Sequence, residues 1–402
     1  MESLKLLFTT TFYPPYHLGG DAIHVRYLAE ELARKGHEVH VVHSVDAYRV
    51  KRNDEPVIKE PTPGVHVHPV SSGYGRLSPF WTYLSGRGRP TERAIEEIMR
   101  KEKLDIVHHH NISLLGSRML DIPLPAVYTA HDYWLICPRS DLMRNGSQLC
   151  TGRKCIGCSI ASGRPPQLWR GAGWEKKVSE LTTVISPSSF MKTQLQSFLG
   201  LNSIHLPNFA PMTISPVAKQ RNDPYVAFVG VLEKWKGLDI ILDTFQHRTD
   251  LNLRIFGKGS MERRVREVEA MTSGRVKYFG YLEKQELQDQ VAGASCALCT
   301  SAINENCPLS AIESLALGTP LVVNARGGLP ELVSEPECGL VSDLTEQGLG
   351  KAIDAIQGDA ALASKLGANA KRRYLRDHSP EAFMIKYGGI LTSSLLADQD
   401  GS

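Results

Sequence analysis

Long apolar runs are missing. Nothing in the 402 residues approaches the ~20 consecutive apolar positions that a membrane-spanning helix requires. The opening MESLKLLFTTTF lacks the charged leader and long apolar stretch of a secretory signal and reads as a first strand. Charge excess is missing too. A formal total of +3 excludes the strongly basic surface of a nucleic-acid binder and leaves any basic patch local. No repeat of solenoid period and no low-complexity tract is present. No GxGxxG follows a strand, which weakens a dinucleotide-dependent reading. The only Asp-x-Asp is Asp398-Gln399-Asp400 in the tail, so no metal-binding acid pair accompanies the body of the chain. Eight cysteines without a signal read as reduced thiols or metal ligands in a cytoplasmic protein, not a disulfide framework.

What is present is the composition of an ordinary globular protein, 42% hydrophobic and 22% charged. The length suits two domains better than one core. Leu4 to Thr10 is β-prone. Asp21 to Lys35 follows with Val25, Leu28, Ala29 and Leu32 on one helical face, and EVHVVHS restarts a strand. Between them TFYPPYHLGGD offers Gly19 and Gly20 for close backbone approach and Asp21 as a cap. Strand, Gly-containing loop, helix and strand open a doubly wound parallel sheet, whose ligands bind beyond the carboxyl ends of strands. From Asn53 to Pro90 the expectation is a short strand, Val65 to Val70, within long loops. The helix Thr91 to Lys101 leads into LDIVHHH, and PAVYTAHD ends another strand at His131-Asp132. A histidine there can hydrogen-bond a ligand at neutral pH. His108, His109 and His110 alternate faces, so at most part of the trio can face a site.

After LTTVISPSSF and IHLPNF, the prolines Pro207, Pro211, Pro216 and Pro224 around KQRND mark a linker. Alternation then restarts with YVAFVGV, LNLRIFG, VKYFGYL and CALCTS separated by helices, and GKGS at Gly257 offers a helix start capped by Ser260. Cys296 and Cys299 fall in a strand and read as core. The domain expectation is 1–208, 209–379, and a final helix, 380–402, crossing back onto the first domain. The fold class is α/β, with two Rossmann-like doubly wound domains facing a cleft.

The richest stretch is NENCPLSAIESLALGTPLVVNARGGLPE, Asn304 to Glu331. Pro308 suits a helix start, Gly318 a left-handed stop, and PLVVN a buried parallel strand. Free amides near Leu309 and Ser310, aided by the helix dipole, make an anion site. Glu305 precedes that site, and Glu313 lies about 7 Å along the helix at ~1.5 Å per residue. A diphosphate at the helix start would have one acid toward each end of its ligand.

Cys137, Cys150, Cys155 and Cys158 are spaced C-x12-C-x4-C-x2-C in a segment without helical or strand period. A tetrathiolate zinc site, worth ~10–16 kcal/mol in finger peptides, would offset the cost of ordering such a loop. The spacing also admits an Fe–S cluster, or free or disulfide-bonded thiols. From Arg139 to Lys177 basic residues outnumber acids, with Leu168, Trp169 and Trp174 among them. That composition suits a peripheral membrane contact, an anionic-acceptor groove or a solvated face.

The motif from Glu305 to Glu313 resembles the Glu-x7-Glu motif of family-four retaining glycosyltransferases, which have the GT-B fold. Asn306-Cys307-Pro308 stands where many members have Phe-Gly. Gly19-Gly20 is similar to the family's donor-phosphate loop, and YTAHD to its Thr-x-His-Asp pattern. FVGVLEKWKG resembles its Gly-Arg-Leu…Lys-Gly segment, with Val231 at the arginine position. The resemblance implies Glu305 and His131 at the donor sugar, and Glu313 at the ribose. It implies Lys236, the amides of Leu309 and Ser310, Gly19 and Gly20 at the diphosphate, with Lys234 and Gly257 nearby. It implies a nucleotide-diphospho sugar donor, a glycan, lipid-linked or small-molecule acceptor, and retention by same-face attack without metal at the diphosphate. A sugar-nucleotide epimerase of the same fold and a non-catalytic partner subunit are the alternatives.

Overall fold

The computed structural model describes residues 3–58, 60–144, 148–152, 154–212 and 223–399. Pro216 and most of KQRND, within the expected linker, lie outside the described residues, as does Arg153. The chain divides into two compact units, Met1–Leu206 with Met384–Ser402, and Pro207–Phe383.

In the first unit the strands are β1 (Lys5–Thr9), β2 (Glu38–Ser44), β3 (Val65–Val70), β4 (Ile106–His109) and β5 (Ala126–Thr129). Then come β6 (Met143–Arg144), β7 (Gln148–Leu149), β8 (Thr183–Ser186) and β9 (Ile204–His205). Seven of them form one parallel sheet in the order β3-β2-β1-β4-β5-β8-β9, while β6 and β7 pair antiparallel. The order reverses between β1 and β4. The inner strands β1, β5 and β8 carry the apolar, buried sequences of a parallel sheet, and Leu7, Val42, Val107 and Tyr128 lie in its core. Each fully buried Leu or Val contributes about 1.5–3 kcal/mol relative to exposure. The helix Pro380–Gln399 contributes here from Met384 onward, where Tyr387 Oη meets His108 Nδ1 at 2.7 Å.

The second unit holds β10 (Val226–Val229), β11 (Leu253–Phe256), β12 (Val276–Gly280), β13 (Cys296–Cys299), β14 (Leu321–Asn324) and β15 (Gly339–Ser342). They form a parallel sheet in the order β12-β11-β10-β13-β14-β15, reversing between β10 and β13. Phe228, Ile255, Leu298 and Val322 pack with Ile241 and Ile353 from the helices Leu238–His247 and Glu346–Gly358. Cys296 and Cys299 are both buried in this core.

Four local expectations need correction. The stretch from Asn53 to Pro90 contains a helix, Leu77–Ser85, that its prolines and glycines obscured. Pro79 sits in the helix's first turn, where a missing N–H costs nothing. Asp21 does not cap its helix, which starts at Gly20 with Gly19 as an uncapped N-terminal residue. Ser260 is likewise no cap, because its amide and hydroxyl both bond the Glu233 carboxylate and the helix begins at Glu262. Finally, the cysteine segment is not without period. Cys155 and Cys158 occupy the first turn of a helix, Cys155–Ala161.

Candidate functional site

In a doubly wound sheet, crossovers leave in opposite directions at the point where strand order reverses, and the loops beyond the strand ends part there. In the second unit those loops follow β10 and β13. The loop after β10 is built on close backbone approach. A Cβ on Gly257, at φ +131°, would lie 1.9 Å from Gly230 O, and Leu232 N–H bonds Lys258 O at 3.0 Å. The turn Lys234–Lys236 is tied to the end of β13, because Thr300 Oγ1 donates to Lys236 O at 2.8 Å and Ala302 N–H to Trp235 O at 2.7 Å. Lys236 Nζ thereby meets Glu305 Oε1 at 2.6 Å, with both side chains largely covered.

Glu305 is fixed from its other side by the turn after β14. Gly328 N–H donates to Glu305 O at 2.7 Å, and a Cβ on Gly327, at φ +59°, would lie 2.1 Å from that oxygen. Three residues beyond Glu305 the helix Leu309–Ala316 starts at Pro308, with no side-chain cap. Pro308 O takes the Ala311 amide at 3.1 Å, so the Leu309 and Ser310 amides precede the first intrahelical bond and are open to an anion. Glu313, one turn further, makes no ion pair among the described residues. Burial pushes its carboxyl up to about 7, with Lys284 opposing. Lys234 is not brought to this constellation. Its exposed ammonium lies 3.3 Å from Asp239. Nor is a second cation supplied at Val231.

In the first unit the corresponding loops follow β1, β4 and β5. His131 Nε2 lies 3.0 Å from His110 Nδ1, and its ring centroid 5.4 Å from that of His24. Burial lowers His131 to about 4, so its imidazole is neutral at physiological pH. His110 Nε2 is buried without a partner among the described residues. An orphaned N–H costs more than an orphaned lone pair, so His110 carries its proton on Nδ1 and donates to His131. Gly19 and Gly20 start the neighbouring helix, and Asp21 in its first turn accepts from Asn111 Nδ2 at 3.1 Å. The same amide reaches Asp132 Oδ2 at 3.3 Å. Burial pushes Asp132 up to about 7, with nearby Asp21 adding to the rise. His110 and Asn111 were missed as site residues. The run HHHN at a strand's carboxyl end was the available signal.

The four cysteines line one cavity of about 280 Å³, together with Met143 and Arg144. No three of their sulfurs lie within 4.8 Å of one another. The tryptophans of the adjoining segment are spent internally. Trp174 is buried, and with Trp134 and Trp169 it surrounds the Arg170 guanidinium at 4.6–5.0 Å, so of the readings open for this segment the tryptophans do not supply an interfacial face. Only Leu168 among the three apolar residues singled out there is well exposed. No helix among the described residues is long and apolar enough to cross a membrane.

Residues 18–208 match the family model described as Glycosyltransferase Family 4, and residues 213–373 that described as Glycosyl transferases group 1. The chain belongs to this glycosyltransferase family, with the GT-B fold. An uncharacterized glycosyltransferase of Methanocaldococcus jannaschii is 23% identical over 404 residues, covering 94% of this chain and 95% of its own. Among solved structures, sucrose-phosphate synthase from Thermosynechococcus elongatus aligns with a TM-score of 0.77 at 19% identity, covering 98% and 100% of the two chains. Anabaena HepE in complex with UDP aligns at 0.67 and 16% identity, covering 97% and 100%. At these identities the structural likeness speaks for the fold.

Proposed function

We propose that the chain is a retaining glycosyltransferase that moves a sugar from a nucleotide-diphospho sugar to a glycan, lipid-linked or small-molecule acceptor. The observation that carries this reading is the Lys236–Glu305 pair set beside an uncapped helix start, with Glu313 one turn further on. The ammonium and the Leu309 and Ser310 amides are preorganised donors for the charge that develops on a departing diphosphate, a contribution that often dominates catalysis. Glu305 is assigned to the donor sugar and Glu313 to the ribose hydroxyls. From the first unit, neutral His131 is assigned to a sugar hydroxyl and Gly19-Gly20 to the diphosphate. The acceptor oxygen attacks the anomeric carbon on the face the diphosphate leaves, and its proton passes to a leaving phosphate oxygen. Lys236 serves where a metal would otherwise hold the diphosphate. UDP in the Anabaena relative supports a uridine nucleotide as the first donor to try.

Thermal shifts with UDP-, GDP- and ADP-sugars, followed by the anomeric configuration of the product, test the reading. Stabilisation by one nucleotide class and a retained anomer are expected. Stabilisation by none would sink it, and hydrolysis or isomerisation without acceptor would favour the epimerase alternative.

A lipid-linked acceptor is favoured by the helix Leu77–Ser85, which exposes Leu77, Phe80 and Trp81. Such residues suit peripheral contact with a bilayer surface. Cosedimentation with anionic vesicles that Trp81→Ser abolishes is the expected result; no cosedimentation of the unaltered chain would remove this acceptor preference.

The cysteine module is read as a structural zinc site. Four thiols around one cavity supply the donor set, and zinc there would tie the β6–β7 hairpin to the helix Cys155–Ala161. Elemental analysis with an absorbance scan separates zinc from an Fe–S cluster, and substoichiometric metal after gentle purification refutes both.

A further inference from the structure

At the amino-terminal ends of β2 and β3, opposite the strand ends that carry the His131 cluster, four side chains with metal-ligand chemistry stand unused by the transferase reading. Glu38 and His40 stand two residues apart on β2, and His66 and His68 two apart on β3. The parallel register pairs His40 with His66, so all four project from one face. Glu38 Oε1 lies 3.3 Å from His40 Nε2 and 3.2 Å from His66 Nε2. One ligand atom from each of these three residues falls within 4.8 Å of the other two. Among the described residues, no other group of three His, Cys, Asp or Glu meets that distance.

We propose that Glu38, His40 and His66 form a site for a divalent transition metal of the zinc class. Bonds of about 2.0–2.2 Å to zinc place tetrahedral neighbours roughly 3.4 Å apart, close to both distances from Glu38. His66, with a side chain 49% exposed, has room to adjust toward the ion. His40 is buried and already oriented. Its Nδ1 lies 3.1 Å from His68 Nε2, with the two rings 8° from parallel. A proton on Nδ1 donated to His68 leaves the Nε2 lone pair for the metal, the arrangement that second-layer partners of ligating histidines impose. Lys5 holds the other carboxylate oxygen, Glu38 Oε2, at 3.1 Å and leaves Oε1 for the ion. Two imidazoles and one carboxylate select zinc-class ions over magnesium or calcium, which demand oxygen donors. The ion clips the edge strand β3 to β2, and its fourth position is left to water.

Cobalt(II) chloride titrated into the chelator-stripped full chain tests this, because nitrogen and oxygen ligation lacks the sulfur-to-metal charge-transfer band that the cysteine module would give. One equivalent with a nitrogen/oxygen spectrum is expected, competed by zinc chloride and not by magnesium chloride. His66→Ala, at an exposed position, should abolish it while the metal-free melting temperature stays put. His68→Phe should weaken it roughly 10–100-fold. Glu38→Gln supplies an independent loss of ligand should His66→Ala fold poorly. Only thiolate-ligated cobalt in the unaltered chain, or unaltered cobalt binding by either ligand variant, overturns the site.

Discussion

Lys236 and Glu305 are 69 residues apart in sequence, and their side chains meet at 2.6 Å. They come from the loops after β10 and β13, the neighbours between which the second sheet reverses its order. The carboxylate therefore already pairs with the ammonium that the proposed diphosphate needs.

This competition separates the two residues. Glu305→Gln removes the intramolecular anion, so affinity for the nucleoside diphosphate should hold or tighten while sugar transfer falls tenfold or more. Lys236→Met should lose both. Calorimetric titration beside turnover checks it. Equal weakening of nucleotide binding in the two variants would make the pair a structural brace.

Glu313 gives a pH signature. Its carboxyl is raised from 4.5 to about 7 in the folded chain. The stability linked to this proton is complete below the unfolded value and is lost as pH rises through 7. Nucleotide binding runs the other way, since ribose hydroxyls donate to the ionised form. Affinity should climb between pH 6 and 8, and Glu313→Gln should flatten that climb. A slope unchanged in the variant would place the titration elsewhere.

The parallel strands were legible because their β-branched residues carry a strand signal: Glu38–Ser44 and Val65–Val70 coincide with EVHVVHS and the expected short strand. The helix Leu77–Ser85 was not, because Leu77, Phe80 and Trp81 face outward and its apolar pattern points to no core. The acids of the second unit announced themselves through a helix start and its spacing, and the lysine only through the resemblance of FVGVLEKWKG. Their contact did not, since only the sheet order brings Lys236 to Glu305. The same holds for His110. A strand-end trio cannot tell which ring meets His131 until β4 and β5 are paired.

Gly327 and Gly257 make the second unit's site by what they lack. At φ +59° and +131°, with a Cβ 2.1 Å and 1.9 Å from a carbonyl oxygen, neither position admits alanine without moving backbone. Strain of this kind costs about 1–3 kcal/mol. Gly327→Ala displaces Glu305 directly and should cut transfer out of proportion to the drop in melting temperature. Gly36→Ala, at φ +88° with nothing within 4 Å, is the control for conformation alone. Equal loss of activity in both would separate Gly327 from the site.

His110 tests whether positioning matters in the first unit. With its Nδ1 proton donated over 3.0 Å, it fixes the neutral His131 ring with the proton on Nδ1. Loss of one such bond is worth roughly 1 kcal/mol, or five- to tenfold in rate. His110→Phe should therefore lower kcat about that much with little change in donor affinity. His110→Asn, whose amide can donate from nearly the same point, should recover part of the loss. Because burial holds His131 near 4, the pH–rate profile should show no inflection near 6.5 from this residue. A bulk fold defect would instead lower the melting temperature in step with kcat and ignore the difference between phenylalanine and asparagine.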